Sequence, residues 1–428
     1  MNGKEIIRHE KYCQLRNEIR GSEDHMIVGI DVAKDKHYAF FGTATGKTLL
    51  KRLIFENNMD GYSKLLARTE AIRVQNCLSK IVFGLEPTGN YHKPLATHLI
   101  RCDHNVVLVS GVAVKRNREL LDGRWDKHDT KCAANIADLI SQGKCLFYEF
   151  PLPDINELRN LLSLRKRLKK EDHSLRMRIR NNLLAKYFPE LDRFYGQCET
   201  ENLAIVRWCL EPGKIAGMEF NKFFQMVTTR ERGIAQKQRL RKIHSISSES
   251  VGCPMGQASE FEAQVLVDKL KQVRQVIKKT EDLIEDVSLG LPEYSWMLTI
   301  PGFGPYVSSI VLATIGDPFR FNNRKQVLKM SGYDLNANRS GKTSLSAVPV
   351  ISKKGSSTLR YALYQAAFVA STRNSYFINY YTNLLRGRER EQGIKTKMRV
   401  KLAAKMLIIA WTLMKKKEPF NPNYLNKK

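Results

Sequence analysis

Two apolar runs separated by a short polar break constrain this chain most. Within MIVGIDVAKDKHYAFFG, Met26 to Gly42, strand-forming residues stand on either side of Ala33-Lys34-Asp35. Runs rich in β-branched and aromatic residues around such a break predict two strands joined by a tight turn. A third strand follows from Leu49 to Asn57, and then the helical spacing of Tyr62, Leu65, Leu66 and Ile72. Ile81 to Glu86 reads as a buried strand, and HKPLATHLI and NVVLVSG repeat the helix–strand alternation. A further helix is expected to start near Asp129. Hairpin-linked strands followed by helix–strand alternation predict a mixed sheet covered by helices, an α/β domain.

After Pro151 the period changes. Leu161, Leu168 and Leu175 are seven apart, Ile155, Leu158 and Leu162 fill an adjoining stripe, and Pro189 closes the segment. Residues 190–258 show no clear period, and 245–256 reads as a loop. Leu266, Leu270, Val273, Ile277, Thr280, Ile284 and Val287 then alternate gaps of four and three, a coiled-coil seam of about three heptads. The same seam serves a contact between subunits or a hairpin within one chain. From Trp296 a third, mostly helical unit begins. In it Pro301-Gly302-Phe303-Gly304-Pro305 makes a glycine-rich turn opening an apolar helix, and SSTLRYALYQAAFVAST makes a second.

Charge points to the partner. The 428 residues carry 71 basic and 43 acidic side chains, a net +28. Residues 1–150 hold 23 basic and 18 acidic, whereas 151–428 hold 48 and 25. A basic field confined to the later two thirds attracts a polyanion, above all nucleic acid. The last stretch, 376–428, with 13 basic and 3 acidic side chains, reads as a tail lying on phosphate. The longest apolar candidate for a membrane span, Leu402 to Met414, is short and holds Lys405. The first 25 residues are charged throughout, so no leader or membrane partner is expected and the cytoplasm is the expected compartment. Eight scattered cysteines lack CxxC or Cys/His ligand spacing, which fits reduced thiols better than disulfides or zinc.

Four carboxylates carry the chemistry. Asp31 and Glu86 end apolar strands, and Asp126 and Asp129 are three apart at the start of a predicted helix, side by side on one face. Acids converging from strand ends repel unless cations neutralise them, and carboxylate oxygens are what Mg²⁺ prefers. Two such ions about 4 Å apart suit phosphodiester chemistry. The turn at Gly302 and Gly304 looks like a helix-hairpin-helix element, with a helix N-terminus offered to phosphate. Beyond it, Ser340 stands between Arg339 and Gly341-Lys342, where a hydroxyl would sit beside two cations. The residues alone do not separate Ser340 from Ser344, Ser346 or Ser352.

Six pieces then occur in a telling order. They are Gly29-Ile30-Asp31-Val32-Ala33-Lys34, Glu86-Pro87-Thr88-Gly89-Asn90-Tyr91, Asp126-Lys127-His128-Asp129, Ile300-Pro301-Gly302-Phe303-Gly304, Leu328-Lys329-Met330-Ser331-Gly332-Tyr333 and Lys353-Lys354-Gly355-Ser356-Ser357-Thr358-Leu359-Arg360. Together they resemble the DEDD transposases of the IS-one-ten insertion-sequence family, over roughly residues 26 to 375. The resemblance implies a RuvC-like, RNase H-type domain over 26–150 after an N-terminal extension over 1–25. It also implies a helical coiled-coil linker over 151–295, a transposase domain over 296–375 and a basic tail over 376–428. It implies Mg²⁺ at Asp31, Glu86, Asp126 and Asp129, and selects Ser340 as the nucleophile that forms a covalent phosphoserine with DNA. Arg339, Lys342, Lys353, Lys354 and Arg360, with Gly302 and Gly304, are the expected nucleic-acid contacts. The expected partners are donor and target DNA, a structured bridge RNA pairing with both, and further copies of the chain, dimers pairing into tetramers. A hydrolytic endonuclease of the Holliday-junction resolvase kind is the alternative, with the same acids activating water.

Overall fold

In the computed structural model, which describes residues 7–122, 129–148, 152–194, 199–208, 210–336 and 350–425, the hairpin at the start of the chain becomes the middle of a six-stranded sheet. Its strands are β1 (His25–Asp31), β2 (Lys36–Thr43), β3 (Thr48–Glu56), β4 (Lys80–Leu85), β5 (Asn105–Leu108) and β6 (Leu146–Phe147), in the order β3-β2-β1-β4-β5-β6. β1 pairs antiparallel with β2, and β2 with β3, while β1, β4 and β5 run parallel. Parallel neighbours need crossovers, which α2 (Met59–Gln75) and α3 (His92–Arg101) supply.

Pleat parity divides the sheet. Met26, Val28, Ile30, Phe83 and Leu85 pack on Tyr62, Leu65 and Ile72 of α2 and Leu95 and Leu99 of α3. Ile27 and Val82, one position out of phase, pack on Ile136 and Ile140. Those last two belong to α5 (Asp129–Ser141), which follows α4 (Gly111–Asp122). The N-terminal α1 (Ile7–Ile19) also docks here: Arg16 Nε donates to the Gly143 carbonyl at 2.7 Å and Arg20 Nε to that of Gln142 at 2.9 Å.

The chain divides into two units, Met1–Pro151 with Phe319–Asn322, and Leu152–Pro318 with Asn323–Lys428. The second is helical: α6 (Pro153–Arg178), a π-turn (Ile179–Leu184), α7 (Ala185–Tyr187), α8 (Glu199–Trp208), α9 (Pro212–Ala216), α10 (Phe220–Val227), α11 (Ile234–Ser247), α12 (Gln257–Leu289), α13 (Pro292–Leu298), α14 (Pro305–Ile315), α15 (Arg324–Ser331), α16 (Ser357–Arg373), α17 (Ser375–Leu385) and α18 (Ile394–Lys416), with a small pair of strands, β7 (Leu335–Asn336) and β8 (Val350–Ile351). The expected division into an α/β part and an α part is thus what the chain adopts.

Two expectations change here. The seam of α12 is consumed inside the chain: Leu266, Leu270, Val273 and Ile277 are buried in one core with Leu175 of α6 and with Leu203 and Val206 of α8. Asp172, 8% exposed, locks the pair by accepting from Arg176 and from Arg274 of α12, each at 3.0 Å. A seam that finds its apolar partner within the chain is not available as a subunit contact, so the hairpin reading is the one realised. The segment read as a basic tail also holds core: Leu402, Ala403, Met406, Leu407, Ala410 and Leu413 of α18 are buried, and the helix packs on α16. That burial accounts for the apolar run Leu402 to Met414. Among the described residues no helix is long and apolar enough to cross a membrane.

Candidate active site

Asp31 is the last residue of β1 and Glu86 follows the last residue of β4. The parallel register pairs Gly29 with Gly84 and Ile30 with Leu85, so the next step sets Asp31 beside Glu86 on strands about 4.8 Å apart. Both share the parity of Gly29 and Gly84, and both therefore face α5. Each is partly exposed.

The two glycines explain how a helix lies so close to this face. A Cβ on Gly29 would meet the Ala133 carbonyl at 2.3 Å, and one on Gly84 would meet Ile140 Cδ1 at 1.9 Å. The C-terminal end of α5 is fastened to α1, which leads into the start of β1, so α5 runs antiparallel to β1. Its first residue, Asp129, is thereby carried toward the strand ends that bear Asp31 and Glu86. Asp129 is exposed, and a carboxylate in the first turn suits the positive end of the helix. Asp126, the fourth acid, lies outside the described residues.

Polar side chains missed in the sequence hold this frame. Asn117 of α4 donates to Asn135 Oδ1 at 2.8 Å and to Asp138 Oδ2 at 2.7 Å, and Asn135 donates to the Val114 carbonyl at 2.6 Å. Asn135 and Asp138, polar residues set among the apolar positions of α5, were the available signal. After Asp31 the chain turns, and the Ala33 amide donates to Nδ1 of fully buried His37 at 3.3 Å. Burial holds the His37 imidazole below its ordinary value. On the other strand, a Cβ on Gly111, the first residue of α4, would come within 2.7 Å of Glu86 Oε1, so the carboxylate reaches toward that helix start.

Among the described residues no three His, Cys, Asp or Glu side chains form a complete metal cluster. The donor set is nonetheless all carboxylate, which suits a hard divalent cation and not zinc or copper. Asp31, Glu86 and Asp129 are the described carboxylates that the sheet and α5 bring to this end of the unit.

The second unit carries the remaining candidates. Gly302 (φ +88°) lies against α16, where a Cβ would meet the Ala366 carbonyl at 2.4 Å, while Gly304 caps α14 in open space. Ser340, Arg339 and Lys342 lie outside the described residues, as do Ser344 and Ser346. Both ends of their segment are fixed, because β7 and β8 pair antiparallel through Leu335–Ile351 and Asn336–Val350. Ser352 donates its hydroxyl to Asp334 Oδ1 at 2.5 Å, a clasp at the base of that segment. Lys353, in the left-handed region at φ +55°, and Lys354 are exposed. Arg360 is turned to structure: its Nη1 donates to the Ser331 carbonyl at 2.8 Å and the Gly355 carbonyl at 3.1 Å. No periodicity in the sequence signals that engagement.

A mixed sheet whose adjacent parallel strands end in two carboxylates, under a helix that begins with a third, defines a RuvC-like domain of the DEDD transposase type. Residues 28–189 match the DEDD transposase profile of IS110, and residues 294–382 match the transposase profile of the IS116/IS110/IS902 family. The chain is also 22% identical over 400 residues to an uncharacterized 43.6 kDa protein of insertion element IS110 from Streptomyces coelicolor, covering 91% of this chain and 94% of that one. The chain belongs to the IS110, or IS-one-ten, family of transposases. Such a protein binds and rearranges DNA, and its nuclease-like domain implies use of a divalent metal.

Proposed function

We propose that the protein is an RNA-guided DNA recombinase that mobilises its own insertion sequence through a covalent phosphoserine. The observation that carries this reading is the register that sets Asp31 beside Glu86 on the face covered by α5. Asp31, Glu86, Asp126 and Asp129 would hold Mg²⁺, and the bound ion would stabilise charge on the reacting and leaving oxygens.

Ser340 attacks a phosphodiester: its Oγ–P bond forms as the P–O bond to one strand breaks, the hydroxyl proton is lost and the leaving oxygen takes one up. Attack on the phosphoserine by the hydroxyl of another strand reverses these changes and rejoins DNA without ATP. Arg339 and Lys342 steady the phosphate, and Gly302, Gly304, Lys353 and Lys354 line the approach of the backbone. The net +23 of residues 151–428 suits a protein that grips a guide RNA and two duplexes by phosphate, leaving sequence to base pairing. With the α12 seam consumed, Val276 and Leu283, seven apart and 41% and 43% exposed, offer a shorter stripe for the pairing of copies.

The test is to incubate protein, Mg²⁺, labelled target DNA and RNA transcribed from the DNA flanking the gene, and then look for label on denatured protein. Label on wild type that is absent from Ser340→Ala is the expected result. Cleaved DNA without protein-bound label, unchanged in Ser340→Ala, would replace this reading with a hydrolytic resolvase-like nuclease.

A further inference from the structure

Between Phe220 and Ser248, the span of α10 and α11, stand seven basic side chains and one acid, Glu231. Phe223 and Val227 of α10 and Leu240 and Ile243 of α11 are buried in the core they share with α12, so one side of each helix is fixed to the helical unit. The pair is also fastened at both ends. At one end His244 Nε2 donates to the Met218 carbonyl at 2.7 Å. At the other, buried Gln236 accepts from the Arg232 amide at 2.6 Å and donates to Glu201 at 2.7 Å and to the Arg230 carbonyl at 3.1 Å. The turn that bears Arg230 and Arg232, both exposed, is therefore held in place.

Elsewhere in the helical unit arginines meet carboxylates: Arg165 lies 2.6 Å from Glu281, Arg207 2.8 Å from Asp268 and Arg274 3.0 Å from Asp172. The cations of α11 stand over rings instead. Arg241 lies 5.3 Å from the Phe220 ring centroid and Lys237 5.9 Å from that of Phe224, and the two rings, one turn apart on α10, are themselves 5.9 Å apart. Among the described residues neither Lys237 nor Arg241, nor exposed Lys242 beside them, forms an ion pair with a carboxylate. An aromatic face steadies a cation without neutralising its charge or using its N–H donors. Lys237 and Arg241 are thus held one helical turn apart, about 6 Å, with their charge left for an anion from outside the chain.

We propose that the α10–α11 pair is a backbone-gripping surface for duplex DNA, with Lys237 and Arg241 on neighbouring phosphates of one strand and Lys242 extending the contact. The inference rests on the DNA binding that family membership gives the chain. A row of fixed cations at one-turn spacing complements a regular phosphate backbone and reads no sequence. Phe220 and Phe224 are both covered by the cations above them, so they offer no platform on which the bases of a single strand could stack. The surface lies between the two stretches that match the family profiles and carries none of the candidate catalytic side chains. Its work is to hold the duplex while the bond is cut elsewhere.

Full-length protein is titrated with a labelled DNA duplex of random sequence at several salt concentrations. The titration is repeated with the double variant Lys237→Gln, Arg241→Gln and, as a control of equal charge, with Lys278→Gln, Lys279→Gln, both exposed on α12. The first pair should weaken binding about ten-fold or more and lower the slope of log K against log salt by about 2, with unchanged thermal unfolding. Arg241→Lys, which keeps the charge, should keep the slope. Equal losses in the control pair would show only the general field of the chain and overturn the assignment. Unchanged duplex binding with weakened binding of an RNA hairpin would give the surface to RNA and overturn its assignment to DNA. No change with either nucleic acid would overturn the inference and leave the family's DNA binding intact. Failure of the wild type to bind the duplex would remove the surface and that reading together.

Discussion

Gly29 of β1 lies under Ala133 of α5 so closely that a methyl group on it would stand 2.3 Å from the Ala133 carbonyl oxygen and 2.7 Å from the Ala137 amide nitrogen. Backbone atoms cannot swing aside as a side chain does, so Gly29→Ala must lift the helix. We expect a loss of about 1–3 kcal/mol in urea unfolding, as for other overpacked cores. DNA cleavage should fall as well, because Asp129 rides on that helix. Unchanged stability would mean that the helix lies farther from the sheet.

The pairing of Asp31 with Glu86 predicts a shared dependence on divalent metal. Asp31→Asn and Glu86→Gln should each lower Mg²⁺-dependent strand cleavage by about 100-fold or more while leaving DNA binding intact. Chelation should abolish wild-type cleavage and added Mg²⁺ restore it. Wild-type rates in both variants would take these carboxylates out of the reaction.

Four buried or half-buried histidines should make the α/β unit sensitive to acid. His25, His37, His92 and His104 are each held below the ordinary 6.5 chiefly by burial. Folded chains then bind fewer protons than unfolded ones below about pH 6.5, so stability rises with pH there and is lost as pH falls toward the folded values. The unfolding temperature should drop between pH 7.5 and pH 5, and the slope should be shallower in His37→Gln. A flat profile would show that the imidazoles protonate without cost.

Arg360 serves two carbonyls at the base of the segment that carries Ser340. Arg360→Gln should cost about 2 kcal/mol through lost charge-assisted hydrogen bonds and speed amide exchange around Gly332 and Gly355. Arg360→Lys should not rescue it fully, because an ammonium lacks the guanidinium fork. Weakened nucleic-acid binding without any change in exchange would return Arg360 to the contact role read from the sequence.

Some of this was open to local reading. The strands were legible because apolar alternation is a property of neighbours along the chain, and strand ends fixed where Asp31 and Glu86 would stand. The heptads of α12 were equally legible, yet the partner they find was not: the spacing of Leu266 to Ile284 specifies an apolar stripe and says nothing of what covers it. Arg360 shows the same limit, since nothing in its neighbours along the chain signals that its Nη1 serves the Ser331 and Gly355 carbonyls.

By itself, then, the sequence determined the elements, the change of period at Pro151, the carboxylates and the basic balance that calls for a polyanion. Tertiary structure alone decided that Gly29 and Gly84 admit α5 against the sheet, that α6 and α8 take up the α12 seam and that α18 is core. The physical reason is that pattern and propensity act between residues a few positions apart, whereas burial, close approach and the meeting of like charges depend on which distant segments share a space.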